Sequence, residues 1–299
     1  MIGPADLRGI WGFALTPFDS NDRVDVASFR AGVRRLVDGG ADVVVSCGTL
    51  GQGDRMTAFE RVTCLADAVA ETGAAVPVLS VLSASEAPAD EAARIVAAGA
   101  DGALLLPASG DPRDAAAAIA AIDEASRGRL PVVLYQRGGL RLSVADLRQM
   151  AESRALVGLK DALGDLRLFR QQQMALGDRL VWVCASEDLA VAYQTHGADA
   201  VAPASMAYAP GYARRWWAAL ERGDADEAVR LLRVFAWPLT DLRMSRPDID
   251  TTVVHDLARL FGSWESGLRA PARALDPAES AALAELATAL RLELQGVMP

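Results

Sequence analysis

Lys160 is the only lysine in the chain. The other 29 of the 30 lysine and arginine residues are arginines. A coding bias toward arginine and alanine would explain the missing lysines, but it does not explain why one remains. Arginine can replace lysine on a surface, yet only lysine can lose its proton and act as an amine nucleophile. Its single occurrence therefore makes Lys160 a candidate catalytic residue.

The residues before Lys160 are typical of a buried strand and read Ala155-Leu156-Val157-Gly158-Leu159. Because side chains alternate between the two faces of a strand, we expect Leu156 and Gly158 on the same face as Lys160. Val157 and Leu159 are expected on the opposite face, and Gly158 is expected to leave room for the lysine stem.

Poor solvation at such a position lowers the pKa of a lysine below its usual value of about 10.4. The neutral amine can then condense with a ketone to form a Schiff base, which acts as an electron sink. The alternative is a buried structural lysine paired with Asp161.

Tyr135 and Arg137 close the preceding apolar run and are further candidates for chemistry. A phenol both donates and accepts protons, so Tyr135 could serve a Schiff-base intermediate as acid and base. Arg137 could bind a substrate carboxylate through two parallel hydrogen bonds. The alternatives are an aromatic residue that caps a core and a solvated loop arginine.

A glycine-rich turn follows another apolar run and reads Cys47-Gly48-Thr49-Leu50-Gly51-Gln52-Gly53. Glycines allow backbone amides to approach an anion, and Thr49 adds a hydroxyl. The glycine spacing fits neither the dinucleotide-binding pattern nor a P-loop. Because glycine-rich turns are often only turns, the motif alone predicts little.

No metal site is expected, because the histidines and cysteines lack ligand spacing. His196 is predicted to cap a helix, and His255 to be a surface or packing residue. Cys47, Cys64 and Cys184 are predicted to be small buried side chains.

The elements that must position these residues alternate regularly along the chain. The phrase Gly-Ala-Asp recurs at residues 40–42, 99–101 and 197–199, each time after a helical pattern and before an apolar run. A glycine fits the left-handed end of a helix, and the apolar run that follows is typical of a buried strand. The apolar runs predict strands at 12–16, 42–47, 76–82, 102–106, 131–136, 156–160, 180–185 and 200–204. Helices are predicted between them at 26–38, 58–71, 88–98, 112–126, 144–152, 165–176, 188–195 and 209–222.

Eight strands, each followed by a helix, predict an α/β fold, a (β/α)8 TIM barrel, over residues 1–222. An open doubly wound sheet is the alternative, but it usually has fewer strands. Residues 223–299 are predicted to be a C-terminal helical extension packed on the barrel as one structural unit, with helices at 225–243, 251–260 and 277–294.

The composition narrows the classes of function. The 299 residues carry a net charge of -9 without basic runs, which argues against binding to nucleic acid or to anionic membranes. The longest apolar stretch, residues 115–122, is too short to cross a bilayer. The first residues lack the apolar core of a signal peptide. With three cysteines and no paired spacing, we expect a soluble cytoplasmic protein without disulfides.

The sequence resembles the dihydrodipicolinate synthase / N-acetylneuraminate lyase family of class I aldolases and dehydratases, from about residue 9 to residue 261. The motifs that carry the resemblance are Thr16-Pro17-Phe18-Asp19, Gly48-Thr49-Leu50-Gly51, Leu134-Tyr135-Gln136 and Val157-Gly158-Leu159-Lys160-Asp161-Ala162-Leu163-Gly164-Asp165. It implies that Lys160 forms the imine, that Tyr135 is the acid and base, and that the turn 48–51 binds the carboxylate of a 2-oxo acid. Members are commonly homotetramers built as pairs of dimers and need no metal or organic cofactor.

Within the family, two segments look more like the 5-dehydro-4-deoxyglucarate dehydratase branch, namely Tyr135-Gln136-Arg137 and residues 241–246. That branch has Tyr-Asn-Arg where this chain has Tyr135-Gln136-Arg137. Its usual reaction dehydrates and decarboxylates a six-carbon keto diacid to a 2-oxoglutarate semialdehyde, and such a diacid would give Arg137 a carboxylate to bind.

The chain also departs from the family pattern. Leu50 and Gln52 replace a hydroxyl residue and an acid in the turn, and no tyrosine follows Pro107. His255 stands where this branch tends to carry a lysine. A proton relay through either missing hydroxyl cannot operate in its usual form.

The sequence thus predicts a Schiff-base-forming lyase, an aldolase or dehydratase, that acts on a small 2-oxo acid and is a homo-oligomer (a tetramer or a dimer). The predicted catalytic residues are Lys160, Tyr135 and Thr49, and the predicted substrate-binding residues are Gly48, Leu50, Gly51, Arg137 and Ser205. The alternatives are a condensation of pyruvate with an aldehyde and a catalytically altered barrel that binds a metabolite or a protein partner.

Overall fold

The computed structural model describes residues 2–84, 87–246, 248–262 and 267–296. Eight parallel strands pair in chain order, and the last returns to the first, so that the barrel closes and the predicted fold is confirmed. The strands are β1 (Gly9–Phe13), β2 (Val43–Ser46), β3 (Val78–Ser83), β4 (Gly102–Leu106), β5 (Val132–Gln136), β6 (Leu156–Asp161), β7 (Val181–Cys184) and β8 (Ala200–Val201).

Helices surround the barrel at the predicted places. They are α1 (Val26–Asp38), α2 (Ala58–Thr72), α3 (Pro88–Ala97), α4 (Pro112–Ser126), α5 (Val144–Met150), α6 (Leu166–Leu176), α7 (Ala190–Gln194) and α8 (Pro210–Glu221). Two strands differ from the prediction. β1 begins earlier because residues 9–16 form one apolar run without an internal boundary, and β8 ends before Pro203, which cannot donate to a strand ladder.

The Gly-Ala-Asp phrase has a structural role that extends beyond its glycine. Each glycine has a positive φ, between 84° and 94°, as a left-handed helix end requires. Each aspartate then accepts a backbone N–H from the start of a neighbouring strand. Asp42 binds the N–H of Ile10 at 2.8 Å, Asp101 that of Val78 at 2.9 Å, and Asp199 that of Trp182 at 3.1 Å. The repeat therefore fastens the barrel at the end where its strands begin.

The face alternation predicted for β6 is wrong at its start. Val132 pairs with Leu156 and Val133 with Gly158, so Val157 is an extra residue on β6. This bulge places Val157 in the cluster inside the barrel, while Leu156 joins Leu159 in the outer layer beneath the helices. The space beside Gly158 is occupied by side chains from the neighbouring strands, because a Cβ there would overlap Val181 and lie 3.1 Å from Val133.

The tail of the chain, residues 225–296, consists of α9 (Ala225–Leu231), a π-helical turn (Leu232–Ala236), α10 (Trp237–Met244), α11 (Asp250–Leu260) and α12 (Pro277–Leu294). The single helix predicted for 225–243 is thus loosened in the middle. Pro238 follows the loosened turn, and its ring would clash with a carbonyl in a regular α-helix. In the described ranges, no helix has both the length and the apolar character needed to cross a bilayer.

Candidate active site

Lys160 lies at the carboxyl end of β6, where barrel enzymes place their chemistry. Only 4% of the residue is exposed. Its Nζ is 3.7 Å from the centre of the Tyr135 ring and 5.2 Å from that of Phe13. Tyr135 is its register partner on β5. The bulge in β6 precedes these residues, so the predicted nucleophile and phenol lie on the same inner face.

Burial lowers the pKa of Lys160 from its ordinary value. The Tyr135 hydroxyl opposes this change, and the positive charge of Arg137 adds to it. The net effect favours the neutral amine, which is the form that attacks a carbonyl.

Asp161 forms no ion pair with Lys160. The structure therefore does not support the alternative of a buried structural lysine paired with Asp161. Its carboxyl accepts a hydrogen bond of 2.7 Å from Gln136 Nε2 and another from the Tyr193 hydroxyl. Gln136 also accepts from Gln172, at 3.1 Å, and this buried group of polar side chains lies behind the strand ends. It fixes β5 and β6 relative to each other while leaving the Lys160 amine facing the barrel interior.

A cavity of about 150 Å³ opens above Lys160. Five of the predicted site residues line it, namely Thr49, Leu50, Tyr135, Arg137 and Lys160. Thr49 and Arg137 are exposed, whereas Tyr135 is half-buried. The cavity shares Thr49 and Asp250 with an outer cleft of about 650 Å³, which gives a route from solvent to the amine.

Gly48 and Gly51 lie behind the cavity wall, where close packing requires glycine. A Cβ on Gly48 would come within 2.7 Å of the Phe13 ring, and one on Gly51 within 2.5 Å of the Ala14 carbonyl. Both glycines therefore shape the turn 48–51, and the side chains of Thr49 and Leu50 face the cavity from it.

His255 of α11 holds this turn from the tail. Its Nε2 lies 2.8 Å from the Leu50 carbonyl oxygen, so Nε2 carries the proton and donates it. The residue is only 1% exposed, and burial lowers its pKa to about 4. His255 is therefore a buried packing residue and not a surface one.

Gln52 also joins the turn to the tail. Its Nε2 donates to the Arg269 carbonyl at 3.1 Å, and its Oε1 accepts from the Arg269 N–H at 3.0 Å. A glutamate could not make both bonds, because a carboxylate only accepts. The departure from the family's acid at this position thus has a structural reason.

Ser205 is fully buried, and its hydroxyl donates to the Glu187 carboxyl, while the neighbouring Ala204 lines the cavity. Sequence reasoning missed the polar residues Ser186, Glu187, Arg243 and Asp250, which all line the cavity. Glu187 follows the end of β7, so the rule that barrel chemistry lies at strand ends could have found it. Arg243 was noticed only as part of a branch-like segment.

The cysteines and His196 do not line the cavity. The three cysteines are free and buried, and burial raises the pKa of the Cys47 thiol to about 11 and that of Cys184 to about 12. His196 contacts the Ala192 carbonyl at 2.7 Å, as expected of a helix end. In residues 2–84, 87–246, 248–262 and 267–296, no cluster of three or more side chains could ligate a metal ion.

Comparison with known proteins gives one consistent result. The model of the dihydrodipicolinate synthetase family matches residues 6–290. A "Probable 5-dehydro-4-deoxyglucarate dehydratase 2" of Streptomyces coelicolor is 33% identical over 93% of this chain and 88% of its own length. A "Probable 5-dehydro-4-deoxyglucarate dehydratase" of Ralstonia nicotianae is 31% identical over 93% of this chain and 91% of its own length.

Solved structures share the fold. Dihydrodipicolinate synthase from Bacillus clausii superposes with a TM-score of 0.88 at 24% identity, covering 97% of this chain and 99% of that one. YagE from E. coli K12, a prophage protein of the dihydrodipicolinic acid synthase family solved with pyruvate, gives 0.85 at 22% identity, covering 96% and 99%.

Proposed function

Because the chain belongs to the dihydrodipicolinate synthetase family and is a lyase of the class I aldolase type, we propose that Lys160 forms a Schiff base with a small 2-oxo acid. The observation that carries the proposal is the buried amine of Lys160, 3.7 Å from the Tyr135 ring centre, in a cavity at the strand ends. Burial favours the neutral amine that this reaction needs.

Tyr135 and Thr49 move protons in this proposal. The amine attacks the keto carbon, and the oxygen leaves as water after Tyr135 has supplied a proton. The iminium then draws electrons from the neighbouring carbon, so that a proton there can be lost to give an enamine. Leu50 presents an apolar side chain where the family usually has a hydroxyl, and Thr49, exposed to the same cavity, is the hydroxyl that remains on the turn.

The two ends of the substrate would be bound by different groups. We assign the carboxylate beside the ketone to the turn 48–51, whose glycines let the backbone come close. Arg137 is assigned the far carboxylate, since its guanidinium lies 5.1 Å from the Tyr135 ring centre at the rim of the cavity. A diacid would use both positions, and the names of the relatives support 5-dehydro-4-deoxyglucarate as substrate.

Borohydride trapping tests the proposal. The protein is incubated with pyruvate and with 5-dehydro-4-deoxyglucarate, reduced, and digested for peptide mass mapping. We expect an adduct on Lys160, and none in Lys160→Arg, because a guanidinium cannot form an imine. No adduct with any of a panel of 2-oxo acids would refute the proposal.

We also propose that the chain forms a cytoplasmic homo-oligomer, a tetramer or a dimer. Family membership and the three buried free thiols support this, since free thiols persist in a reducing compartment. Light scattering after size-exclusion chromatography measures the oligomeric state, and a monomer at micromolar concentration would contradict the proposal.

We further propose that residues 223–299 fold with the barrel (1–222) as one unit. Arg243, Asp250 and His255 of the tail all reach the cavity or its turn, which supports this reading. A single unfolding transition, seen alike by tryptophan fluorescence and far-UV circular dichroism, is the expected result.

A further inference from the structure

Glu187 is a buried carboxyl in the cavity wall with one oxygen unused by the protein. The residue is 1% exposed and lines the same cavity as Lys160 and Tyr135. Its Oε2 accepts from the Ser205 hydroxyl and, at 3.3 Å, from the Ser205 N–H. Its Oε1 is buried, and no group in the described part of the chain makes a hydrogen bond to it. A buried polar atom of this kind calls for a ligand to complete it.

The charged and titratable groups around Glu187 come from several parts of the chain, including Tyr212 of α8. Arg243 faces it from α10, and Arg243 Nε already donates to Asp250 at 2.6 Å. Asp188 follows it in the chain, and Tyr208 approaches from the turn after β8. Burial outweighs the attraction of Arg243 and the hydrogen bonds from Ser205, so the pKa of Glu187 is raised.

The raised pKa favours the protonated form of the carboxyl, in which one of the two oxygens becomes a donor. Because both bonds from Ser205 reach Oε2, the proton belongs on Oε1. Oε1–H is then a donor that lacks an acceptor among the described residues, and it belongs to a residue that lines the cavity. An oxygen of a bound substrate would provide that acceptor.

We propose that Glu187 is the general acid that protonates the hydroxyl leaving the substrate during dehydration. The inference rests on the proposed function, because it takes the enamine on Lys160 as its starting point. It assigns a second proton donor to the cavity, besides Tyr135.

The step balances without any further reactant. The nitrogen lone pair of the enamine restores the C=N bond of the iminium. The electron pair of the enamine C=C forms a new double bond to the carbon that bears the hydroxyl. The C–O bond breaks, its oxygen takes the proton from Glu187 Oε1, and water leaves. Glu187 remains as a carboxylate and regains its proton from solvent when the product departs.

Glu187→Gln tests this role, because glutamine keeps an acceptor for Ser205 but cannot donate an acidic proton. Two rates are measured on the same preparation. The first is exchange of the pyruvate methyl hydrogens for deuterium, which requires the imine and the enamine but no leaving hydroxyl. The second is loss of water from 5-dehydro-4-deoxyglucarate. General acid catalysis contributes about 10²–10⁴-fold, and we expect a fall of that size in water loss only.

Exchange by Glu187→Gln should stay within about threefold of wild type, which also shows that the variant is folded. The matched control is Tyr208→Phe, which removes a neighbouring buried hydroxyl that is likewise without a hydrogen-bond partner in the described part of the chain and does not line the cavity. It should keep both rates.

Three results would overturn the inference while leaving the imine intact. They are unchanged water loss in Glu187→Gln, an equal fall of exchange and water loss in that variant, and an equal loss of water elimination in Tyr208→Phe. Wild-type protein that exchanges pyruvate hydrogens but releases no water from the diacid would also overturn it. Wild-type protein that shows neither exchange nor trapping refutes the proposed function, and the inference falls with it.

Discussion

His255 should make the protein measurably less stable as the pH is lowered. Its imidazole is buried and neutral, and Nε2–H donates to the Leu50 carbonyl of the turn 48–51. The folded-state pKa is about 4, against about 6.5 in the unfolded chain. The unfolded state therefore takes up a proton first as the pH falls. The stability that His255 provides is complete above pH 6.5 and is lost progressively as the pH falls toward 4.

The size of the effect follows from the two pKa values. At pH 5.0 the unfolded histidine is almost fully protonated, while the folded one is mostly neutral. The difference in proton binding, integrated from pH 7.5, lowers the free energy of unfolding by about 2 kcal/mol, because one pKa unit corresponds to about 1.4 kcal/mol. Since the side chain is almost completely buried, solvent screens little of this.

Urea unfolding at pH 7.5 and 5.0 measures the effect, with His255→Gln as the comparison. Glutamine can donate from its Nε2 to the same carbonyl but does not titrate. Aspartates and glutamates contribute equally to both proteins and cancel in the difference. We expect the stability gap between wild type and variant to shift by about 2 kcal/mol in favour of the variant on going to pH 5.0. An unchanged gap would refute the neutral buried state of His255.

Three further substitutions test the packing and the site. Gly158→Ala should lower the free energy of unfolding by about 1–3 kcal/mol, because the added methyl overlaps Val181. A urea midpoint equal to that of the wild type would contradict this close packing. Gln52→Glu should cost about 1–3 kcal/mol by leaving the Arg269 carbonyl without its donor, and an unchanged urea midpoint would show that the bond contributes nothing. Arg137→Ala should raise KM for the diacid by about tenfold to a hundredfold, whereas pyruvate, which lacks the far carboxylate, should still be trapped on Lys160. Equal losses with both substrates would remove Arg137 from the far carboxylate.

Local patterns were enough to predict the order of strands and helices. Helix boundaries such as Val26–Asp38 and Pro112–Ser126 agree with the sequence because caps and apolar periodicity are local signals. The bulge at Val157 could not be predicted, because Leu156, Val157 and Leu159 are all apolar and suit either face. Which of them points inward is decided by pairing with β5.

The site was predictable in its centre and not in its surroundings. Lys160 and Tyr135 lie on adjacent strand ends, so the fold itself brings them together. Arg243 reaches the cavity and His255 reaches the turn 48–51 from helices more than 80 residues beyond Lys160, and no local pattern states where those helices pack. Ser205 illustrates the reverse case, since it was predicted to bind substrate but does not line the cavity, and its hydroxyl donates to Glu187.

The contacts between tail and turn also set an order in which the enzyme can become competent during synthesis. Lys160 and Tyr135 lie near the middle of the sequence, so a nascent chain contains both well before Arg269 is added. The hydrogen bonds that join Leu50 and Gln52 to the tail can form only after His255 and Arg269 have been synthesised. A chain that stopped before residue 255 would lack all of these bonds. Synthesis must therefore pass residue 269 before every bond that joins this turn to the tail can form.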